Sequence, residues 1–237
     1  MKMKITYITH SCFIIESKNV VLLFDYPSGS FINEEIREIV VEIIKDSELY
    51  TFISHSHSDH YNTEIFEFDR YAEKIIYILA DEIPLSSELG SENIHILGPD
   101  EKLDLDDLQI ITFKSNDEGV AFLIEAFGTK IYFGGDLAKW DWPEWTEEKR
   151  RSKVNLFKDV LDELKDLDID IAFSNMDERL ESWAGPVDFI ETVRPDHFIP
   201  IHTFGNEEWI DDLLKVDLPG DVKIFKYENT GDSLEIK

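Results

Sequence analysis

Cysteine is nearly absent: Cys12 is the one thiol in 237 residues. No disulfide can form within the chain, as expected of a protein from a reducing compartment. Positive charge is also scarce, with 23 Lys and Arg against 51 Asp and Glu and a net charge of −28. A surface of that sign repels phosphate backbones, so no nucleic-acid partner is expected. It favours solubility and draws divalent cations. No apolar run is long enough to span a bilayer, and the opening MKMKITYITH turns polar too early for a secretory signal. A cytoplasmic protein without a membrane partner is the expectation. Low-complexity linkers and short repeats are missing too, and nothing in the chain fixes an oligomeric state.

Hydrophobic residues make up 43% and aromatics 12%, which excludes a disordered chain and supplies a sizeable core. The length suits one large domain or two pseudo-equivalent halves sharing a core, and residues 1–237 are read as a single domain. Runs rich in β-branched and aromatic residues (KMKITYI, SCFIIE, VVLLFD) predict strands at 3–8, 11–16 and 20–25. INEEIREIVVEII carries apolar residues at helical spacing and predicts a helix at 32–45. Strands follow at 51–54, 74–79, 93–97, 108–113, 120–127 and 130–134, then a helix at 144–166. The last third alternates: strand 169–173, helix 186–193, strand 197–201, helix 206–215, strand 221–227. Two packed sheets with helices outside both explain this order, which is a four-layer αββα sandwich of mixed α/β character.

The segment Ser54-His55-Ser56-His57-Ser58-Asp59-His60 follows the apolar strand TFIS. Imidazole nitrogen and carboxylate oxygen are the ligands that zinc and similar cations take. His55 and His57 alternate by two and can point to one side of an extended turn. Asp59 and His60 come as the chain turns and can face a second position. A helix starting near Asn62 directs its N-terminal dipole at this loop, which favours anions there.

H-x-H-x-D-H after a strand resembles the signature of the metallo-β-lactamase superfamily. Other segments are similar in the same order. Leu23-Phe24-Asp25 resembles the strand whose aspartate supports the metal loop. Tyr132-Phe133-Gly134-Gly135-Asp136 resembles the strand ending in the Gly-Asp that bridges two metals, and Ile199-Pro200-Ile201-His202 the strand carrying the final histidine. The resemblance implies that His55 and His57 hold a first metal, Asp59, His60 and His202 a second, with Asp136 between them. Tyr7-Ile8-Thr9-His10-Ser11-Cys12-Phe13 is similar to the G-H-x-S-F turn of the ascorbate-phosphate lactonase-like branch, whose histidine faces the metals.

One departure stands out. The family's third histidine for the first metal comes from the loop near 112–119, which here reads Thr112-Phe113-Lys114-Ser115-Asn116-Asp117-Glu118-Gly119. Asp117 is the candidate to complete that shell, with Asn116 a weaker carbonyl donor and a turn-capping role for Asp117 the other reading. His95 falls in a strand and reads as structural, and His197, at the start of an apolar strand, reads as structural or as a support for a metal ligand. Trp140, Trp142 and Trp145 crowd the segment after Asp136, either as a pocket wall or as an amphipathic cap. The loop Ser182-Trp183-Ala184-Gly185-Pro186 is a second candidate to approach the cleft, and Glu147–Arg151 reads as a solvated helix face.

The expectation is a hydrolase using a metal-bound hydroxide on a small ester, lactone or phosphoester. Asp59 and His10 act in catalysis, and one or two divalent metals serve it, with Zn2+ first and Mn2+ or Fe2+ as alternatives. A phosphodiesterase or nuclease of the same fold needs a basic stripe that the sequence does not display. A non-catalytic metal-binding protein is the other reading, and a flavodiiron-type enzyme would place a glutamate where His57 stands.

Overall fold

Strands form where the β-branched and aromatic runs lie. The computed structural model describes residues 2–85, 92–106 and 108–237. In chain order it contains β1 (Met3–Thr9), β2 (Cys12–Ser17), β3 (Val20–Phe24), α1 (Glu34–Ile44), β4 (Glu48–Ile53), β5 (Lys74–Ala80) and β6 (Ile94–Leu97). Then come β7 (Lys102–Leu105), β8 (Leu108–Lys114), β9 (Val120–Ala126), β10 (Thr129–Phe133), α2 (Glu147–Leu164) and β11 (Ile171–Asn175). The chain continues through α3 (Pro186–Val193), β12 (His197–Ile201), α4 (Ile210–Leu213), β13 (Lys223–Ile224) and β14 (Ser233–Ile236).

Three expectations change. The helix after Asn62 is a 3-10 helix, Thr63–Arg70, capped by the Asn62 side chain accepting from the Glu64 N–H. The helix expected at 206–215 is a 3-10 turn, Glu207–Trp209, followed by the four residues of α4. The strand expected at 221–227 shrinks to Lys223–Ile224.

By internal contacts the chain divides into two units: residues 1–97 with 227–237, and residues 98–226. The first unit holds a seven-stranded sheet in the order β14-β1-β2-β3-β4-β5-β6. Its pairs from β14 to β3 are antiparallel and those from β3 to β6 parallel. The second unit holds another, β7-β8-β9-β10-β11-β12-β13. Its pairs from β7 to β10 are antiparallel and those from β10 to β13 parallel. The same pairing scheme thus occurs twice, so β3, β4 and β5 occupy the places of β10, β11 and β12. Two mixed sheets with helices are what the metallo-β-lactamase fold requires.

The parallel strands need crossovers, and helices supply them. In the second unit α2 lies between β10 and β11, α3 between β11 and β12, and α4 between β12 and β13. The inner residues of α2 (Phe157, Val160, Leu161, Leu164) and α3 (Phe189, Ile190, Val193) join Tyr132, Ala172 and Phe198 from the strands in one apolar core. In the first unit β4 and β5 are buried almost throughout, the near-continuous hydrophobic pattern of strands covered on both faces. Open α/β sheets gather their functional residues beyond the carboxyl ends of parallel strands. Those ends carry Asp25 and the 54–60 loop in one unit, and Asp136, Asp177 and His202 in the other.

Candidate metal centre

In the first unit the metal loop is fixed from beneath by Asp25. Its carboxylate accepts from the Ser54 N–H at 2.7 Å, from the Ser54 hydroxyl at 2.6 Å and from His60 Nδ1 at 2.7 Å. Because the Ser54 hydroxyl donates to Asp25, its oxygen accepts from His55 Nδ1 at 2.9 Å. Both imidazoles therefore carry their proton on Nδ1 and keep the Nε2 lone pair for a cation, the arrangement by which a carboxylate orients metal-binding histidines. Burial pushes the Asp25 carboxyl above its ordinary value, and the hydrogen bonds from His60 and Ser54 oppose that rise.

The loop residues gather as donor groups. His10, Asp59 and His60 each bring a ligand atom within 4.8 Å of the others, and His55 and His57 do the same. His10 Nε2 lies 3.4 Å from an Asp59 carboxylate oxygen, and its ring meets His60 edge-on at 5.4 Å. The Tyr7 hydroxyl accepts from the His10 backbone N–H at 3.1 Å. The ring of Tyr7 stacks on that of Tyr227 at 3.9 Å. Ser58 is tied down as well, its carbonyl accepting from the Ser28 N–H at 2.7 Å and hydroxyl at 3.0 Å.

In the second unit the turn after β10 delivers Asp136. Gly134 donates to the Phe173 carbonyl at 2.9 Å, and a Cβ there would stand 3.2 Å from that oxygen, a tight contact that favours glycine. Asn175, at the end of β11, donates to the Gly135 carbonyl at 2.7 Å. Trp140 Nε1 donates to the Asp136 carbonyl at 2.8 Å. His202 Nε2 then lies 3.5 Å from the Asp136 carboxylate, with the Trp140 ring edge-on to His202 at 5.4 Å. Asp117 brings a carboxylate oxygen within 4.8 Å of one from Asp136.

His10, Asp25 and His202 share a backbone signature. Each follows a strand directly and adopts the left-handed region, with φ of 49°, 42° and 66°. Non-glycine residues held there cost of order 1–3 kcal/mol and cluster at functional sites. The strand ends in this way turn their side chains sharply out of the sheet.

Asn116 corrects the reading of it as a metal donor. Its amide donates to the carbonyls of Ala138 (2.6 Å) and Lys153 (2.7 Å), and its oxygen accepts from the Ala138 N–H at 3.2 Å. Its side chain is spent on joining the 115–119 loop to the segment after Asp136. Among the tryptophans, Trp140 is buried with Ala138, Leu180 and Ala184, and partly buried Trp142 and Trp145 pack on that cluster. This is a local core under Asp136, with Trp142 stacked on Trp140 at 6.3 Å. The 182–186 loop braces it, since the Ala184 carbonyl accepts from Lys139 N–H at 2.8 Å and Ser182 donates to Asp141 at 2.7 Å. His95 lies in β6, and His197 opens β12, where burial and then Lys223 lower its pKa. Glu147–Arg151 starts α2 on its exposed side.

Asp177 and Arg179 carried no sequence expectation. They lie just past β11, where the charged run Asp177-Glu178-Arg179 follows a buried strand much as 54–60 follows β4. That parallel was the available signal. Asp177 is buried, with one carboxylate oxygen 3.9 Å from His202 Nδ1.

The donors fit a borderline divalent cation: imidazole nitrogens and carboxylate oxygens, without a thiolate. Cys12 is buried and its thiol is pushed well above its ordinary value, by burial first and the Asp25 charge second, so it stays protonated. No helix among the described residues is long and apolar enough to cross a membrane.

The fold is similar to that of Igni18 from Ignicoccus hospitalis KIN4/I, described as a novel metallo hydrolase. The TM-score is 0.65 at 15% identity, over 100% of this chain and 99% of that one. It is also similar to the metallo-β-lactamase fold protein YhfI from Bacillus subtilis (TM-score 0.66, 16% identity, 99% of this chain and 100% of that one). CmlA from Streptomyces venezuelae, a diiron β-hydroxylase, aligns over 99% of this chain and 54% of its own at a TM-score of 0.59 and 13% identity. These identities show the fold alone. No curated protein sequence matches the chain. Residues 4–149 match the family described as the Beta-lactamase superfamily domain, and the chain belongs to that metallo-β-lactamase superfamily.

Proposed function

We propose that the protein is a cytoplasmic, metal-dependent hydrolase acting on a small lactone, carboxylic ester or phosphoester. The observation that carries this reading is the Asp25 relay: one buried carboxylate sets the tautomer of His60 directly and of His55 through Ser54. A turn without ligands has no need of such an arrangement. By the family's pattern, His55 and His57 would hold one divalent cation and Asp59, His60 and His202 a second, with Asp136 serving both; Asp117, which stands where the family has a histidine, would complete the first. When bound, the cations supply Lewis acidity toward the substrate's carbonyl or phosphoryl oxygen and toward the attacking water. Zn2+ suits the nitrogen donors, and the carboxylates leave Mn2+ and Fe2+ competitive.

The chain's own residues do the rest. Asp59, partly exposed on the metal loop, orients the attacking water and takes up its proton. His10, 3.4 Å from Asp59, is placed to hold the substrate oxygen or pass that proton on. The likeness of the His10 turn to the lactonase-like branch favours a lactone or ester. The acidic composition favours a small substrate over a polymeric phosphodiester.

The test is metal analysis of purified protein, with turnover of lactone, ester and phosphodiester reporters in Zn2+, Mn2+ or Fe2+ and after chelation. Hydrolysis that chelation removes and metal restores is expected. Full activity after exhaustive chelation would overturn the reading, and stoichiometric metal without turnover of any reporter would make the chain a metal-binding protein instead.

A further inference from the structure

In a chain so short of positive charge, one guanidinium occupies a singular place. Arg179 follows β11 by four residues, at the carboxyl end of the sheet that also delivers Asp136 and His202. Its Nε donates to Asp177 Oδ1 at 2.7 Å, its Nη2 pairs with Asp177 Oδ2, and its backbone N–H donates to Asp177 Oδ1 at 3.1 Å. Asp177 is fully buried, whereas the Arg179 side chain is 49% exposed. The inner edge of the guanidinium is thus clamped and its outer end faces solvent.

Two aromatic rings lie near the group. The guanidinium carbon lies 4.5 Å from the Phe204 ring centre and 5.5 Å from that of Trp142, within cation–π range. Phe204 in turn meets His202 edge-on at 4.4 Å and adopts the left-handed region at φ 52°. Clamp and rings together fix the plane of the guanidinium, so little rotamer entropy remains to be lost when a ligand binds.

A guanidinium is a fork with two paired-donor edges. Asp177 takes the edge formed by Nε and Nη2. The edge formed by Nη1 and the second Nη2 proton keeps the spacing of two carboxylate or phosphate oxygens, and among the described residues no acceptor meets it. We propose that Arg179 anchors a carboxylate or phosphate group of the substrate, near Trp142, Phe204 and His202. This rests on the hydrolase reading and deepens it: the substrate bears an anion apart from the bond that is cut. An anchor clamped this way also admits a small anion through an acidic surface that repels anions in general.

A matched series tests it on the metal-loaded full chain. It comprises one neutral aryl ester, the same ester with a distal carboxylate and the same ester with a distal phosphate. The wild type should favour at least one charged ester over the neutral one by tenfold or more in kcat/KM. Arg179→Met should erase that preference, and Arg179→Lys should keep part of it, since the charge survives without the fork. Whichever ester loses its advantage identifies the anion. If Arg179→Met lowers all three equally or leaves the ratio unchanged, the residue merely braces Asp177 and the proposal fails.

Calorimetric titration of benzoate and phenyl phosphate, with benzyl alcohol as the neutral control, separates this from failure of the hydrolase reading. Binding by wild type that is lost in Arg179→Met, measured after chelation, supports the anchor even if no ester is hydrolysed. Equal binding by the two proteins, or no binding by wild type, overturns it.

Discussion

Asp25 holds the His60 imidazole by its Nδ1 at 2.7 Å, with both side chains fully buried. The contact joins the end of one parallel strand to the loop that follows the next. An uncompensated buried carboxylate is costly, and here three hydrogen bonds from Ser54 and His60 offset that cost. Their second consequence is chemical, because proton placement on Nδ1 leaves Nε2 as the ligand atom.

Asp25→Asn tests that consequence. The amide oxygen still accepts from His60, but the negative charge that raises imidazole basicity is gone. Metal affinity should fall by roughly 10–100-fold, the usual cost of losing such a carboxylate. Calorimetric Zn2+ titration reads it directly. Unchanged affinity would show that the relay does not serve a cation.

Much of this was legible in the sequence. The strands are apolar β-branched runs, and the histidines and aspartates of 55–60 stand together in six residues. What escaped has physical reasons. The run of β7, Lys-Leu-Asp-Leu, alternates within four residues and buries little, and β14 is a polar edge strand whose register comes from pairing with β1. Asn116 looked like a donor because nothing local reveals that Ala138 and Lys153, distant in sequence, consume its side chain. The Asp177–Arg179 clamp is local, yet its meaning comes from Phe204 and Trp142, which only the fold brings near. The left-handed turns at His10, Asp25 and His202 are likewise set by tertiary structure: Asp and His enter that region more readily than most residues, but too seldom for the sequence to signal it.

Asp59 and His10 should separate by phenotype. Asp59 is a partly exposed loop residue, so Asp59→Ala should leave the thermal midpoint within about 2 °C. Its turnover should drop by about 100-fold or more, as expected for loss of a proton-accepting carboxylate. An active variant with unchanged metal content would contradict the assigned role. His10→Ala should reduce turnover more than metal occupancy. Loss of one full metal equivalent in that variant would make His10 a ligand.

Gly185 controls the loop that braces Trp140. It adopts φ 100°, and a Cβ there would stand 2.8 Å from Lys139 Cβ and 2.9 Å from the Phe157 ring. Gly185→Ala therefore adds backbone strain to a clash within the α2–α3 core, together about 3 kcal/mol. For a chain of this size the thermal midpoint should fall by roughly 10 °C. A shift under about 2 °C would mean that the loop repacks freely and braces nothing.

The 115–119 loop holds the last test, because the family's third histidine is missing there. Asn116 is committed to Ala138 and Lys153, which leaves the Asp117 carboxylate as the loop's oxygen donor toward Asp136. The turn itself is held elsewhere: Asp117 N–H donates to the Ser115 hydroxyl at 3.1 Å and Ser115 N–H to the Gly119 carbonyl at 3.4 Å. Since the Asp117 side chain is exposed and not needed for either bond, Asp117→Ala should fold normally. If the carboxylate completes the first metal's shell, the variant should lose about 10-fold or more in affinity for one of two metals. Asp117→His should bind Zn2+ more tightly relative to Mn2+ than the parent does, because imidazole replaces a hard oxygen with a nitrogen donor. Competition titrations with the two ions give both numbers. If Asp117→Ala binds the same number of metals with the parent's affinity, the carboxylate is no ligand.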